Sequence, residues 1–246
     1  FMYFFSTLGA ISCAALFFFD SLDTLWIGVL GSILAAIGYA GSIVFYNAFL
    51  PEIAEIKDQD KVGARGFAMG YIGSSLLLIF SLTMILFPQW YGNIESGTAT
   101  RLAFLLVGLW WFGFAQYTFH YLPHNVYDQK PRGRYIFNGY LELKKVWFEL
   151  RHSKRLKTFL LSFFFYNMGV QTVMYVATLF GDGELHLPSS ILIAIILIIQ
   201  FVAIGGAFLF SSLSKRFGNI YSISISLIIW VGICIGAYFC DKRFGV

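Results

Sequence analysis

The chain has 246 residues, of which 58% are hydrophobic and only 12% are charged, and its formal net charge is +4. Soluble domains average about 45–50% apolar and about 25% charged residues, so this composition excludes an ordinary soluble protein. Long uncharged runs recur along the chain, and each can hold the roughly 20 residues that a helix needs to cross the hydrocarbon. The predicted fold class is all-α, a polytopic membrane helix bundle.

Seven spanning helices are predicted, in the order 1–19, 25–50, 66–88, 101–122, 158–180, 189–212 and 220–240. Four precede a long polar segment and three follow it. This order predicts part of an N-terminal helical half at 1–122, a cytoplasmic connector at 123–157 and the start of a C-terminal half at 158–246. Because Phe1 is not an initiator Met and falls inside a hydrophobic run, the chain is expected to be an interior fragment.

The loops at 51–65, 123–157 and 213–219 hold 14 of the 17 Lys and Arg residues. Basic residues in short loops resist translocation, so these three loops are predicted to be cytoplasmic. The opposite loops carry mainly acidic residues, such as Asp20 and Asp23. The positive net charge therefore indicates topology, and no nucleic-acid partner follows from it.

Polar residues crowd the stretch "FYNAFLPEIAEIKDQDKVGARGFAMGYIG", between the second and third spans. Pro51 cannot continue a helical hydrogen-bond ladder, so the second span should stop or kink there. Glu52 then lies at the membrane boundary, and Arg65 opens the third span at a similar depth. A Glu52–Arg65 ion pair acting as a cytoplasmic gate is one interpretation. The other is that Arg65 extends to the headgroups and Glu52 is solvated.

In the third span, Gly66, Gly70 and Ser74 recur every four residues. Small residues at this spacing let another helix backbone approach closely, which predicts a packing stripe. The same stripe is compatible with a surface on which helices slide during a conformational change.

The connector contains "YLELKKVWFELRHSKRLK", which reads as an amphipathic helix over 140–157. Leu143, Val146, Trp147 and Leu150 share one face, and Glu142, Lys145, Glu149 and His152 share the other. A basic, aromatic-bearing helix of this kind is expected at the membrane interface. A solvated linker helix is the alternative.

Asn167, Gln171 and Tyr175 follow one another at intervals of four residues in the fifth span, on one helical face. Hydrocarbon would leave these polar groups without partners, so the stripe must face a wet cavity or other helices. Both interpretations stay open. Gln116 and Gln200, in other spans, are predicted to form interhelical hydrogen bonds.

Two halves joined by a cytoplasmic amphipathic connector resemble the major facilitator superfamily. The segment "SSLSKRFGN" resembles the loop motif of that superfamily, Gly-x-Leu-Ala-Asp-Arg-x-Gly-Arg, through Leu213, Arg216 and Gly218, whereas Ser211 and Lys215 depart from it. "YNAFLPEIA" followed by "ARGFAMGYIG" resembles the signature of one branch, the vacuolar amino-acid effluxers linked to autophagy in fungi and their bacterial relatives.

This resemblance implies that the present helices are numbers three to nine of twelve. It implies a secondary transporter that works by alternating access on a small polar solute, with amino acids as the solute class. Tyr46 and Asn47 would then line a central cavity, as would the stripe on the fifth span. The resemblance to the bacterial relatives implies a place in the bacterial inner membrane.

The sequence carries no nucleophile motif, phosphate-cradling glycine loop or clustered metal ligands. No catalytic residue, cofactor or metal site is therefore predicted, and the expected partners are a small-molecule solute and the lipid bilayer. The alternative function is a seven-span receptor-like protein, or another integral membrane protein without transport activity. Such receptors typically begin outside the cell, whereas the loop charges here place the start of the chain inside.

Overall fold

The structure is a computed structural model that describes residues 1–122 and 135–239, without the side chains of 135–139, 142 and 143. All regular secondary structure in these ranges is helical. The α-helices are α1 (Met2–Ala15), α2 (Leu25–Ala48), α3 (Leu50–Ile53), α4 (Gln59–Leu86), α5 (Ser96–Tyr121), α6 (Tyr135–His152), α7 (Lys154–Gly183), α8 (Ser189–Phe217) and α9 (Asn219–Tyr238). Short 3-10 helices lie at Leu16–Phe18, Leu22–Thr24 and Pro88–Tyr91.

Six of the described helices are long and apolar enough to cross a membrane, and a shorter apolar helix covers Met2–Phe18. The seven runs read from the sequence are thus all helical, but the first is shorter than the other six. At 1.5 Å per residue, Met2–Phe18 extends about 26 Å, slightly less than the hydrocarbon thickness of about 30 Å. The all-α class of the prediction is confirmed.

Three helices extend beyond their predicted spans at ends that carry basic residues. Helix α4 begins at Gln59 instead of 66, α7 begins at Lys154 instead of 158, and α8 ends at Phe217 instead of 212. Apolar runs identify only the part of a helix inside the hydrocarbon, whereas backbone hydrogen bonding continues into the polar headgroup region. The predicted boundaries are wrong at these ends for that reason.

The predicted connector helix over 140–157 is interrupted at Ser153. Helix α6 ends at His152, and Ser153 adopts an extended backbone conformation with φ −99° and ψ 100°. Its Oγ accepts a hydrogen bond of 3.3 Å from the backbone N–H of Leu156 and so caps the start of α7. The last residues of the predicted connector therefore belong to a spanning helix, and its first part, 123–134, lies outside the described residues.

By their contacts, the helices fall into two compact units. The first contains α1 to α5, α8 and the first residues of α9, and the second contains α6, α7 and the rest of α9. Within the first unit, α1 packs against α2 and α5, and α4 packs against α8. Contact units need not coincide with halves defined by chain order, so the division at 122 and 158 stays a prediction.

Glycines allow the backbones of the first unit to approach closely around α1. A Cβ added to Gly38 of α2 would lie 2.5 Å from both Cα and N of Gly9. A Cβ added to Gly108 of α5 would lie 2.6 Å from the backbone oxygen of Ala10. Only residues without a side chain permit such backbone contact between membrane helices. Helix α1 is therefore clamped between α2 and α5 through its backbone.

A polar cluster ties the other end of α1 to α5. Arg101 lies 3.6 Å from the carboxylate of Asp20, and its guanidinium lies 5.9 Å from the ring centroid of Phe17. Asp20 also accepts a hydrogen bond of 3.1 Å from the Thr24 hydroxyl. Arg101 is a basic residue on the side predicted to be external, and the acidic partner at this end compensates its charge.

Candidate functional site

The junction between α2 and α4 is formed by a short break and one helical turn. Helix α2 ends at Ala48, and α3 resumes at Leu50 with Pro51 in its first turn. Proline fits there because the first N–H groups of a helix have no intrahelical acceptor. The predicted interruption of the second span near Pro51 is confirmed.

Glu52 and Arg65 do not pair in this conformation. Both residues are exposed and lie in the described part of the chain. The ion pairs within 4.0 Å among those residues are Glu55–Lys57, at 2.7 Å, and Asp20–Arg101, at 3.6 Å. A gate made by Glu52 and Arg65 would therefore need a different conformation, and it stays a prediction.

A different contact joins α4 to α8 at this end. Ser214, near the end of α8, donates a hydrogen bond of 2.6 Å from its Oγ to Oδ2 of Asp60 in the first turn of α4. The Ser214 hydroxyl also contacts the side-chain amide of Asn219, the first residue of α9. Gly218 separates the two helices with φ +86°, a conformation that favours glycine. The glycine of the resembling loop motif thus forms the corner that brings Asn219 to Ser214.

Tyr46 and Gly66, for which different roles are predicted, lie beside each other. The Tyr46 hydroxyl, at the end of α2, is 2.9 Å from the position that a Cβ on Gly66 of α4 would occupy. The Tyr46 side chain is 52% exposed, and Asn47 beside it is exposed. The structure therefore places one predicted cavity residue, Tyr46, against the predicted packing stripe.

The stripe itself does not act as one packing surface. Among the described residues, no atom lies within 4 Å of a Cβ added to Gly70, so close helix packing at that residue stays a prediction. The side chains buried on α4 belong to other positions, which are Ala64, Ala68, Ser75, Ser81 and Met84. Positions 64 and 68 lie about 200° around the helix from 66 and 70, because each residue advances the chain by about 100°. The regular spacing of small residues predicts one face of α4 as the packing face, whereas Ala64 and Ala68 are buried on another face.

Ser74, Ser75 and Gln200 form a polar cluster between α4 and α8. The hydroxyls of Ser74 and Ser75 both donate to Oε1 of Gln200, the second at 3.2 Å. The predicted interhelical hydrogen bonding of Gln200 is confirmed. For Gln116 it is wrong in the described part of the chain, where its buried Nε2 has no partner.

The polar stripe on α7 lies on an exposed helix face. Asn167, Gln171 and Tyr175 are all exposed, and Tyr175 reaches 73%. Within the described residues, none of the three side chains makes a hydrogen bond that would assign it to helix packing. Both interpretations of the stripe, cavity lining and interhelical bonding, therefore stay predictions.

Comparison with known proteins assigns the family. The family described as "Vacuole effluxer Atg22 like" matches residues 1–240. The chain belongs to this family. This match confirms the resemblance drawn from Tyr46–Gly73 and shows that the similarity extends over nearly the whole sequence. No solved structure matches the chain.

Two relatives of this effluxer-family chain illustrate its range. It is 32% identical over 239 residues to the uncharacterized MFS-type transporter YxiO of Bacillus subtilis, covering 97% of this chain and 55% of the relative. It is 27% identical over 172 residues to autophagy-related protein 22-2 of Aspergillus clavatus, covering 66% of this chain and 27% of the relative. The chain thus spans about half the length of the bacterial relative and less of the fungal one.

Sequence reasoning on this effluxer-family chain missed the partners of its α8 residues. Asp60 lies within a charged segment in which no single carboxylate stands out. Ser75 differs from Ser74 only by one position, and periodicity favoured Ser74. The available signal was the pairing of small hydroxyl residues on one span with a lone amide on another, which is a known source of interhelical hydrogen bonds.

Proposed function

We propose that this chain is part of a secondary membrane transporter that moves a small polar solute by alternating access, with amino acids as the solute and efflux as the direction. The observation that carries the proposal is the polar stripe on α7, whose side chains have no hydrogen-bond partner in the described residues. Helix α7 is long and apolar enough to span a membrane. A spanning helix with such a stripe needs either a wet surface or polar partners on another helix, and the proposal takes the wet surface.

Polar groups are costly to bury without hydrogen-bond partners. An amide or hydroxyl that enters hydrocarbon without a partner loses several kcal/mol in solvation, by order of magnitude. Asn167 and Gln171 each carry two donors and one acceptor group, and Tyr175 adds a phenol. A water-filled cavity would satisfy these groups at rest, and a polar solute would satisfy them when bound. Tyr46 and Asn47, exposed at the end of α2, are proposed to line the cavity as well.

The solute class follows from chemistry and family together. The proposed contacts are uncharged amides and phenols, which suit a neutral or zwitterionic solute better than one with a large net charge. The name of the family refers to a vacuole effluxer, and the bacterial relative is named as a transporter. A place in the bacterial inner membrane is proposed from that relative, and no catalytic role is proposed.

The mechanism requires that the cytoplasmic side close while the opposite side is open. Glu52 and Arg65 are proposed to pair in a conformation other than the present one. Their separation here is compatible with a gate, because an alternating carrier must break such contacts in one of its states. The hydrogen bond between Ser214 and Asp60, in the first turn of α4, is formed in the present conformation.

The test is transport by the complete protein in proteoliposomes with a panel of labelled amino acids. The informative variant is Gln171→Leu, which removes the middle polar group of the stripe. Thr172→Val is the matched control, because the Thr172 hydroxyl already donates to the Met168 carbonyl of its own helix at 2.8 Å.

We expect Gln171→Leu to raise KM about tenfold or more, because a lost hydrogen bond that leaves its partner unsatisfied costs about 1–3 kcal/mol. Thr172→Val should leave KM unchanged, and both variants should retain wild-type thermal stability. Normal transport by Gln171→Leu, or its failure to fold, would assign the stripe to helix packing. A wild-type protein that moves no member of the panel would overturn the proposed function itself.

A further inference from the structure

We propose that the side-chain amide of Gln200 is a solute-binding group, which donates hydrogen bonds to a carboxylate of the transported molecule. This inference rests on the proposed transport function and concerns a residue that the polar stripe on α7 does not include. The cluster of Gln200 with Ser74 and Ser75 is the starting point, because it uses only one of the two polar atoms of the amide.

The orientation of the amide follows from the needs of Ser75. Its side chain is 3% exposed, and its hydroxyl donates to Oε1 of Gln200 at 3.2 Å. Ser74 has a second acceptor in the Tyr71 carbonyl, at 3.1 Å, whereas Ser75 has no other acceptor in the described residues. If the amide were reversed, the hydroxyl hydrogen of the buried Ser75 would have no acceptor among the described residues. Oε1 therefore faces the two serines, and Nε2 faces away from them.

Nε2 of Gln200 consequently presents two hydrogens without a partner among the described residues. The residue is half-buried, and its Nε2 is not one of the fully buried side-chain atoms that lack a partner, so this side of the amide can be reached from outside the pair of helices. A neutral amide nitrogen is a donor only. The cluster thus explains why Gln200 accepts hydrogen bonds from α4, and it leaves the donor side available for a ligand.

The depth of the cluster is that of a substrate site. Ser75 lies about 15 Å along α4 from Arg65, the last charge before the apolar run, and Gln200 lies about 16 Å along α8 from its first residue, Ser189, at 1.5 Å per residue. Both distances are about half of the 30 Å hydrocarbon thickness. An unsatisfied donor at this depth is costly unless water or solute meets it, and transporters bind their substrates near the midplane.

The ligand chemistry follows from the donor and from its neighbours. Two N–H groups without an adjacent positive charge suit an oxygen acceptor, and a carboxylate oxygen is the strongest acceptor that a small amino acid carries. The two serines hold the amide in place through Oε1. These bonds fasten α4 to α8, whereas both solute-binding donors belong to Gln200 on α8.

The experiment compares two ways of removing the interhelical bond in the complete protein. Gln200→Met is close to isosteric and removes the bond together with the donors, whereas the double variant Ser74→Ala/Ser75→Ala removes the bond and retains the amide. Both are assayed for amino-acid uptake in proteoliposomes and for thermal stability in detergent. Ser81→Ala is the control on α4, since the Ser81 hydroxyl donates to the Leu77 carbonyl of its own helix at 2.9 Å.

Both cluster variants should lose similar thermal stability, but only Gln200→Met should raise KM about tenfold, with the double variant within about threefold of wild type. Competition by the amino alcohol of the same solute, in which a hydroxymethyl group replaces the carboxylate, supplies a second readout. Wild type should prefer the amino acid over the alcohol more strongly than Gln200→Met does.

Equal KM values for Gln200→Met and the double variant would overturn the inference, because the cluster would then act through helix packing alone. An unchanged preference for the amino acid in Gln200→Met would overturn it as well. Both results presuppose a wild-type protein that transports the solute. A wild-type protein that neither takes up nor binds any member of the panel overturns the proposed function, and this inference with it.

Discussion

Replacing Gly38 by alanine should destabilise the bundle more than the same replacement at any glycine of the predicted stripe. The added methyl group would lie 2.5 Å from Cα and N of Gly9 and 2.8 Å from the Phe5 carbonyl oxygen. All three atoms belong to the backbone of α1, so no side-chain rotation can make room. The two helices must separate for the methyl group to fit.

The size of the effect follows from that separation. Ordinary van der Waals contact of a Cβ begins at 3.4 Å, so α1 and α2 must move apart by about 1 Å at their crossing, which lies well inside the steep part of the repulsion. Overpacking of this kind typically costs about 1–3 kcal/mol and occasionally more. For a protein of this size, about 1 kcal/mol lowers Tm by about 2–4 °C, so a decrease of about 2–12 °C is expected.

The assay is thermal unfolding of the complete protein in detergent, followed by the loss of its monodisperse fraction. Gly70→Ala is the matched control, because no atom of the described residues lies within 4 Å of its added Cβ. Alanine also favours a helix over glycine by up to about 1 kcal/mol, so this control should be neutral or slightly stabilising. Equal Tm values for the two variants, or a larger loss at Gly70, would refute the assignment of the close helix contact to Gly38.

Two further predictions concern topology and gating. After the three native cysteines are replaced by serine, cysteines at Lys57 and Lys215 should react with an impermeant thiol reagent only in opened membranes, whereas a cysteine at Asp23 should react in intact cells; labelling of Lys57→Cys in intact cells would contradict the orientation. Glu52→Gln should reduce transport, and the charge swap Glu52→Arg with Arg65→Glu should restore part of it, since attraction depends on opposite signs. Equal transport rates in the single and swapped variants would argue against the pair.

The class of fold was predictable because hydrocarbon imposes a single requirement on a chain. Every backbone polar group must be satisfied within the segment, so a long apolar run can only be a helix. The same logic failed at the helix ends. It could not place Gln59, Lys154 or Phe217 as terminal residues, because water and headgroups satisfy polar side chains without ending a helix.

The packing surfaces were less predictable because spacing does not reveal which face of a helix is covered. Gly66, Gly70 and Ser74 form a regular stripe, yet the close backbone contact uses Gly9 and Gly38. Small residues are so frequent in α1 and α2 that spacing does not single out these two. Membrane helices are apolar on all sides, so no polar face marks the side away from the packing. An added Cβ on Gly41 would also meet α1, at the Phe5 ring, but Gly38 differs because its three nearest neighbours are all backbone atoms of α1.

Polar residues were more informative than glycines, but their partners were not predictable. The sequence indicated that Gln200 bonds to another helix, because an amide in hydrocarbon needs a partner. It did not indicate Ser75 as that partner, since hydroxyl residues occur in several spans and many satisfy themselves on the preceding turn. Ser81 does so through the Leu77 carbonyl. Ser75 lacks such a local acceptor and reaches across to α8, but Ser74 reaches there as well although the Tyr71 carbonyl is available to it.

The two hydrogen-bonded contacts between α4 and α8 differ in what can replace them. Asp60 and Ser214 lie at the polar ends of their helices, where water can take over each hydrogen bond when the helices part, so breaking this contact costs little. Ser75 and Gln200 lie about 20 Å further along both helices, at 1.5 Å per residue. The buried Ser75 hydroxyl, which has no other acceptor in the described residues, would be left unsatisfied unless water or solute reached it. Separation of α4 from α8 therefore begins at the Asp60 end and meets its main resistance at Gln200.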